Sequence, residues 1–131
     1  MKVEEEIKKE AVDLAHKIAD VLDVELDFSE ESIEQVEIIL SKLSEKYQQD
    51  SDEGEARTNG FACAAYIADV LDKNHEGGSW EVDDESAGKE SYPYKLADGG
   101  TAFPFAWCMK RIIDGEGDNV WFKYKTLVQD K

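Results

Sequence analysis

Asp114, Glu116 and Asp118 set carboxylates at alternate positions with glycines between them, a pattern that can wrap a chain around a calcium ion. A calcium loop of the EF-hand kind also needs Gly at its sixth position and Glu at its twelfth, where this sequence has Asn119 and Lys125. The stretch therefore reads as a turn that ends one helix and caps the next. Asp83, Asp84 and Glu85 are contiguous, which suits a solvated loop better than convergence on one ion. His16 has only Asp13 and Asp20 at helical spacing and reads as a surface histidine. His75 falls in a helix-ending turn, where the dipole favours an imidazolium. Cys63 and Cys108 lie in apolar stretches without a CxxC partner and read as core thiols. No metal or cofactor is expected. The sequence has no GxSxG, HExxH, P-loop or GxGxxG signature, so nucleophile, base and oxyanion donor have no candidates and a non-enzyme is expected.

Charge says more than the motifs do. The 131 residues are 41% hydrophobic and 35% charged, enough apolar content for a core despite a formal charge of −16. Residues 1–55 hold 18 acidic against 6 basic residues, whereas residues 56–131 hold 13 against 9. Such a field repels nucleic-acid phosphates and anionic lipid and favours basic partners, divalent cations or simple solubility, and the partner expected is a basic protein. Neither a signal peptide nor an apolar run of about 18 residues is present, so the expected location is cytoplasmic with no membrane association.

The elements that would position these residues follow from periodicity. Between Phe61 and Leu71 only Asp69 is charged, and residues 57–74 read as a buried central helix. Gly60, Ala64 and Ala68 give it a flat side that another element can approach closely. Val3, Ile7, Ala11, Leu14, Ile18 and Val21 predict an amphipathic first helix packed by that stripe. The same stripe would serve either to cover the core or to pair two copies, so monomer and homodimer both stay open. Ser29 caps a second helix whose stripe is Ile33, Val36, Leu40, Leu43 and Tyr47, with Phe28 and Ile33 placed as a hydrophobic staple. Residues 49–56 read as an exposed acidic linker. Ser79–Val82, Ser91–Leu96 and Thr101–Phe103 have strand content, Pro104 starts a helix that stops at Asp114-Gly115, and residues 118–128 fit helix better than strand. The expectation is a single α+β domain. An acidic, antiparallel helical hairpin (1–48) precedes a buried central helix packed on a small antiparallel sheet, with one or two C-terminal helices.

Over residues 57–125 the succession of Gly60, Tyr66 to Leu71, the Gly77-Gly78-Ser79-Trp80 turn, Phe103-Pro104 and Lys110 to Asp118 resembles small bacterial domains of unknown function. In those domains a helix, a Gly-Gly-x-Trp turn, a short sheet and a Pro-started helix follow one another. The resemblance implies a compact α+β domain of the kind carried by mobile or accessory bacterial genes, and it assigns no reaction.

Two functional classes follow. The first is a non-catalytic interaction module, in its sharpest form an immunity or inhibitor protein in which Glu30, Glu31, Glu34 and Glu37 imitate phosphates and mask a basic, nuclease-type surface. The second is a small-ligand binder or enzyme using an aromatic pocket. Trp80, Tyr92, Tyr94 and Trp121 are its candidate lining, because alternation or an edge position should expose at least one of them.

Overall fold

The computed structural model describes residues 1–83 and 88–129, so Asp84 and Glu85 of the acidic loop lie outside the described residues. Five helices and a three-stranded sheet make up the described residues: α1 (Glu5–Val21), α2 (Ile33–Asp50), α3 (Glu53–Asn74), α4 (Pro104–Asp114) and α5 (Val120–Gln129), with β1 (Ser79–Trp80), β2 (Tyr94–Lys95) and β3 (Thr101–Ala102) between α3 and α4 in the chain. The architecture is α+β, as the sequence predicts.

The central helix α3 is buried as expected, with residues 62–68 all inaccessible. Its flat side works as predicted, since a Cβ at Gly60 would lie 2.8 Å from Met109 Sδ and 3.5 Å from Ile112 Cδ1 of α4. It also begins earlier than expected. Asp52 caps it by accepting from the Glu55 amide at 3.1 Å, and Ser51 ends α2 at a left-handed φ of 50°. Residues 53–56 are thus the first turn of a helix and not a linker. Glu53 and Glu55 suit its positive end, which is why an acidic, glycine-containing stretch is helical here.

Two further expectations are corrected. The first two helices do not form a hairpin: α1 packs on α3, while α2 packs on α3, α4 and α5. The long α3 offers a separate side to each, so sequence neighbours do not become spatial partners. Within α1 the buried positions are Lys8, Ala11, Val12, Ala15 and Ala19, while Ile7 and Val21 are 46% and 85% exposed. Close approach of two helices demands small side chains at the contact, so the alanine face wins over the bulkier stripe.

The sheet order is β1-β2-β3, antiparallel throughout, with Trp80 opposite Tyr94 and Tyr94 opposite Ala102. Its strands are shorter than the sequence suggests. The chain start adds to its free edge, where Val3 N–H donates to Trp80 O at 3.0 Å and Val82 N–H to Met1 O at 2.8 Å. The sheet meets α3 through Phe61 and Trp80, with ring centroids 5.3 Å apart, and through Tyr94 Oη, which donates to Asp72 Oδ1 at 2.5 Å. Residues 120–129 form a helix, the preferred expectation, and Asn119 Oδ1 caps it by accepting from the Phe122 amide at 2.8 Å.

Candidate functional site

Helical spacing divides the acidic stretch at the start of α2. Ser29 Oγ accepts from the Ser32 amide at 3.2 Å, forming a 3₁₀ turn over Glu30–Ser32 that leads into the helix. Ser32 Oγ and the Phe28 amide in turn bond Tyr66 Oη of α3, at 2.6 and 2.8 Å. Phe28 sits at a left-handed φ of 65°, with its ring 5.2 Å from that of Tyr66.

Two of the four predicted glutamates point into this framework. Glu30 Oε2 accepts from Tyr124 Oη at 2.5 Å and lies 2.7 Å from His75 Nε2, joining the 3₁₀ turn to α5 and to the end of α3. Glu37 Oε2 accepts from Arg111 Nε at 2.7 Å, and its Oε1 accepts from the Val120 amide at 3.0 Å. Arg111 is 3% exposed, so Glu37 neutralises a buried guanidinium and caps α5. That removes Glu37 from any partner surface. Glu31 and Glu34 face outward.

Residues 18–41 contain eight acidic side chains and no Lys or Arg. With Glu30 and Glu37 turned inward, Asp20, Asp23, Glu25, Asp27, Glu31 and Glu34 remain exposed, and among the described residues none of the six forms an ion pair. Glu25, Asp27 and Glu31 line a shallow depression with Ser29, Ser32 and Gln35. Elsewhere acids and cations meet in pairs: Lys42 with Glu45, Lys46 with Asp50 and Glu55, Arg57 with Glu90, and Lys123 with Asp118. The ridge lies in the longest stretch of the sequence without a Lys or Arg.

The aromatic candidates separate in the same way. Trp80 and Tyr94 are core residues, 4% and 0% exposed, and do not belong to a surface. Their register places both on the side of the sheet that meets α3, and each polar tip is satisfied: Trp80 Nε1 donates to Tyr92 O at 3.0 Å and Tyr94 Oη to Asp72. Burial raises the Tyr94 phenol, and its bond to the Asp72 carboxylate raises it further. Trp121 is half-buried, stacked on Tyr124 with Lys125 Nζ 5.2 Å from its ring. Tyr92 is also half-buried and joins Phe61 and Phe105 as one wall of an open groove of about 490 Å³. The opposite wall is Ile7, Glu10, Ala11 and Leu14 of α1, and Arg57 lies at the rim.

Other expected sites resolve into structure. His16 is half-buried: its ring packs 5.2 Å from Phe28, and its Nδ1 lies 3.1 Å from Val12 O, which fixes it as the donor. The sequence expectation of a surface histidine is thereby corrected, and the signal was Phe28, the one aromatic close enough in sequence to cover it. Both thiols are buried. Burial pushes Cys63 up to about 12 and Cys108 well above the usual thiol range, which leaves neither available as a nucleophile near neutrality. The carboxylates of residues 114–118 occupy a helix end and a 3₁₀ turn, and among the described residues no three His, Cys, Asp or Glu converge to hold a metal.

Sequence reasoning missed Lys8. It is buried and paired with Asp69, at 3.3 Å, and with Asp72. Burial works to lower its pKa, and the bond and charge of Asp72, with Asp69 behind it, outweigh that and raise it. The signal was present: Lys8, Val12, Ala15 and Ala19 follow steps of four, three and four. No protein-family model, curated protein or solved structure matches this chain. Its function is therefore read from its own chemistry.

Proposed function

We propose that the chain is a non-catalytic interaction module that uses the acidic ridge of residues 20–34 to cover a basic surface on a partner protein, in the manner of an immunity or inhibitor protein. The observation that carries this reading is the set of six exposed carboxylates with no ion pair among the described residues. Solubility alone would be met by acids interleaved with basic residues, as they are with Lys8, Lys9 and Lys17 along α1. Concentrating unpaired carboxylates on one ridge costs self-repulsion, which a cationic partner relieves. The inward anchoring of Glu30 and Glu37 holds the backbone that bears Glu31 and Glu34, so little ordering is required on binding. Long-range attraction of this kind speeds association and weakens as salt screens it, over a length of about 10 Å at 0.1 M.

The test is capture of partners from the source lysate on the immobilised protein, with bound proteins identified by mass. A basic protein should be retained at low salt, released at high salt, and lost when Glu25, Glu31 and Glu34 are all changed to Lys. Capture that ignores the triple substitution, or that yields no basic protein, would overturn the proposal.

A further inference from the structure

Burial of the alanine face leaves the bulkier apolar stripe of α1 only partly covered by its own chain. Ile7 is 46% exposed and Leu14 half-buried, yet with Ala11 they line up at helical spacing and form one wall of the groove opposite Phe61, Tyr92 and Phe105.

The facing wall is held in place at a cost. Glu90 and Tyr92 both adopt left-handed backbone, at φ 55° and 48°, conformations that non-glycine residues rarely take, and Tyr is not among those that tolerate them well. Between them the Ser91 hydroxyl is buried with no hydrogen-bond partner among the described residues. Three consecutive residues thus carry local penalties, and the result is that Tyr92 stands against Phe61 and Phe105, with ring centroids 5.1 and 5.5 Å away in edge-to-face contact. Two left-handed residues within three positions on one wall of a groove fit a surface shaped for a ligand.

The charges around the groove select the ligand. Arg57 lies 5.1 Å over the Phe105 ring and pairs with Glu90 at 2.6 Å, so its charge is already answered. Asp83 Oδ1 accepts from the Glu90 amide at 2.7 Å, which adds a third carboxylate to Glu10 and Glu90 against the one guanidinium. Glu10 is exposed and makes no ion pair among the described residues. Aromatic faces beside surplus carboxylate attract cations, as the placement of Arg57 over Phe105 already illustrates within the protein. The volume of about 490 Å³ lies in the range of small-molecule sites.

We infer that this groove binds a small amphipathic organic cation, with its flat apolar body between Ile7 or Leu14 and the rings of Phe61, Tyr92 and Phe105 and its protonated amine toward Glu10. The site is separate from the acidic ridge and does not depend on the ridge having a partner.

The probe is 4-phenylbutylamine, with 4-phenylbutyrate carrying the same apolar body and the opposite charge, each titrated into the isotopically labelled full chain and followed by two-dimensional NMR. The amine should shift backbone resonances of residues 7–14, 57–61 and 90–92, and the carboxylate should not. Glu10→Gln should weaken the amine by about two- to fivefold, the range expected of one exposed charge pair. Ile7→Lys, at a side chain the fold does not bury, should abolish binding while the circular dichroism spectrum and melting temperature stay as in the parent. Equal binding of the carboxylate, shifts confined to other residues, or full binding by the Ile7→Lys variant would each overturn the inference.

Discussion

Glu37 and Arg111 offer the sharpest test of how the acidic stretch is divided. Arg111 is 3% exposed and the Glu37 side chain 13%, so the guanidinium has no water to fall back on and the carboxylate little, and Glu37 also holds the first amide of α5. Replacing Glu37 with Met strands a guanidinium among α2, α4 and α5 and removes a helix cap. Breaking a buried pair by taking one partner costs about 3–5 kcal/mol. For a chain of this size each kcal/mol lowers Tm by about 3–5 °C, so the variant should melt roughly 10–20 °C below the parent. Arg111→Met should fall toward the lower end of that cost, because Glu37 keeps the Val120 amide and some solvent. The double variant is the informative one. Buried ion pairs are often replaced by apolar groups of similar volume without loss. What remains is the lost cap of Val120, about 1 kcal/mol. Urea unfolding followed by circular dichroism would measure all four proteins, and the coupling between the two positions should exceed about 2 kcal/mol. Additivity within about 0.5 kcal/mol would show that the two charges do not act as a pair and would sink the reasoning. The Glu37→Met variant, assayed where it is still folded, should capture the same partner as the parent, since its carboxylate never faced outward.

Three further outcomes are expected. Burial raises the phenols of Tyr66, Tyr92, Tyr94 and Tyr124, with the bond to Asp72 adding to Tyr94 and that to Glu30 adding to Tyr124. The fold therefore holds phenolic protons more tightly than the unfolded chain: this stability is complete below about pH 10 and is lost as pH rises beyond it, so melting temperatures and tyrosinate absorbance should change together there, and an early, tyrosine-like titration of all four without loss of structure would contradict it. Gly78→Ala would set a Cβ 2.5 Å from the fully buried, bonded ring of Tyr94 and should cost about 1–3 kcal/mol, whereas Gly60→Ala crowds the flexible Met109 side chain, meets Ile112 at an ordinary contact distance and gains helix propensity of about 1 kcal/mol; urea unfolding should rank Gly78→Ala clearly the worse. Because burial holds Cys63 near 12 and Cys108 above the usual thiol range, a thiol reagent should label neither residue in the native protein and both at the rate of unfolding, and prompt labelling would show the thiols accessible.

Features fixed by local chemistry were legible in the sequence. Ser29 as a cap, Pro104 as a helix start, Gly115 past a helix end and Gly60 as a point of close approach all appear in the structure, because each depends on one residue and its immediate neighbours. What the sequence hid depends on competition between distant elements. Ile7 and Val21 look more like core than Ala15 and Ala19 until the closeness of α3 is known, and then size decides against them. Asp52, Glu53 and Glu55 look like linker by composition and act as helix start by electrostatics. Glu90 and Tyr92 carried no signal at all, since neither residue type announces a left-handed backbone.

The site itself was half legible, and the half that was missed has a geometric rule. Glu30 and Glu37 are seven residues apart, two turns of helix, and Glu37 also lies four residues after Ile33 and three before Leu40, so it falls within the apolar stripe that packs α2. A carboxylate on that stripe must find a cation or a helix end inside the protein, and Arg111 and the Val120 amide supply both. Glu31 and Glu34 fall outside the stripe and meet no such demand. The same spacing that builds the core therefore withdraws Glu37 from the surface, ties Glu30 to Tyr124 and His75, and aims the others outward. A partner would read the residues whose charge the fold left unanswered, and total acidity says little about which those are.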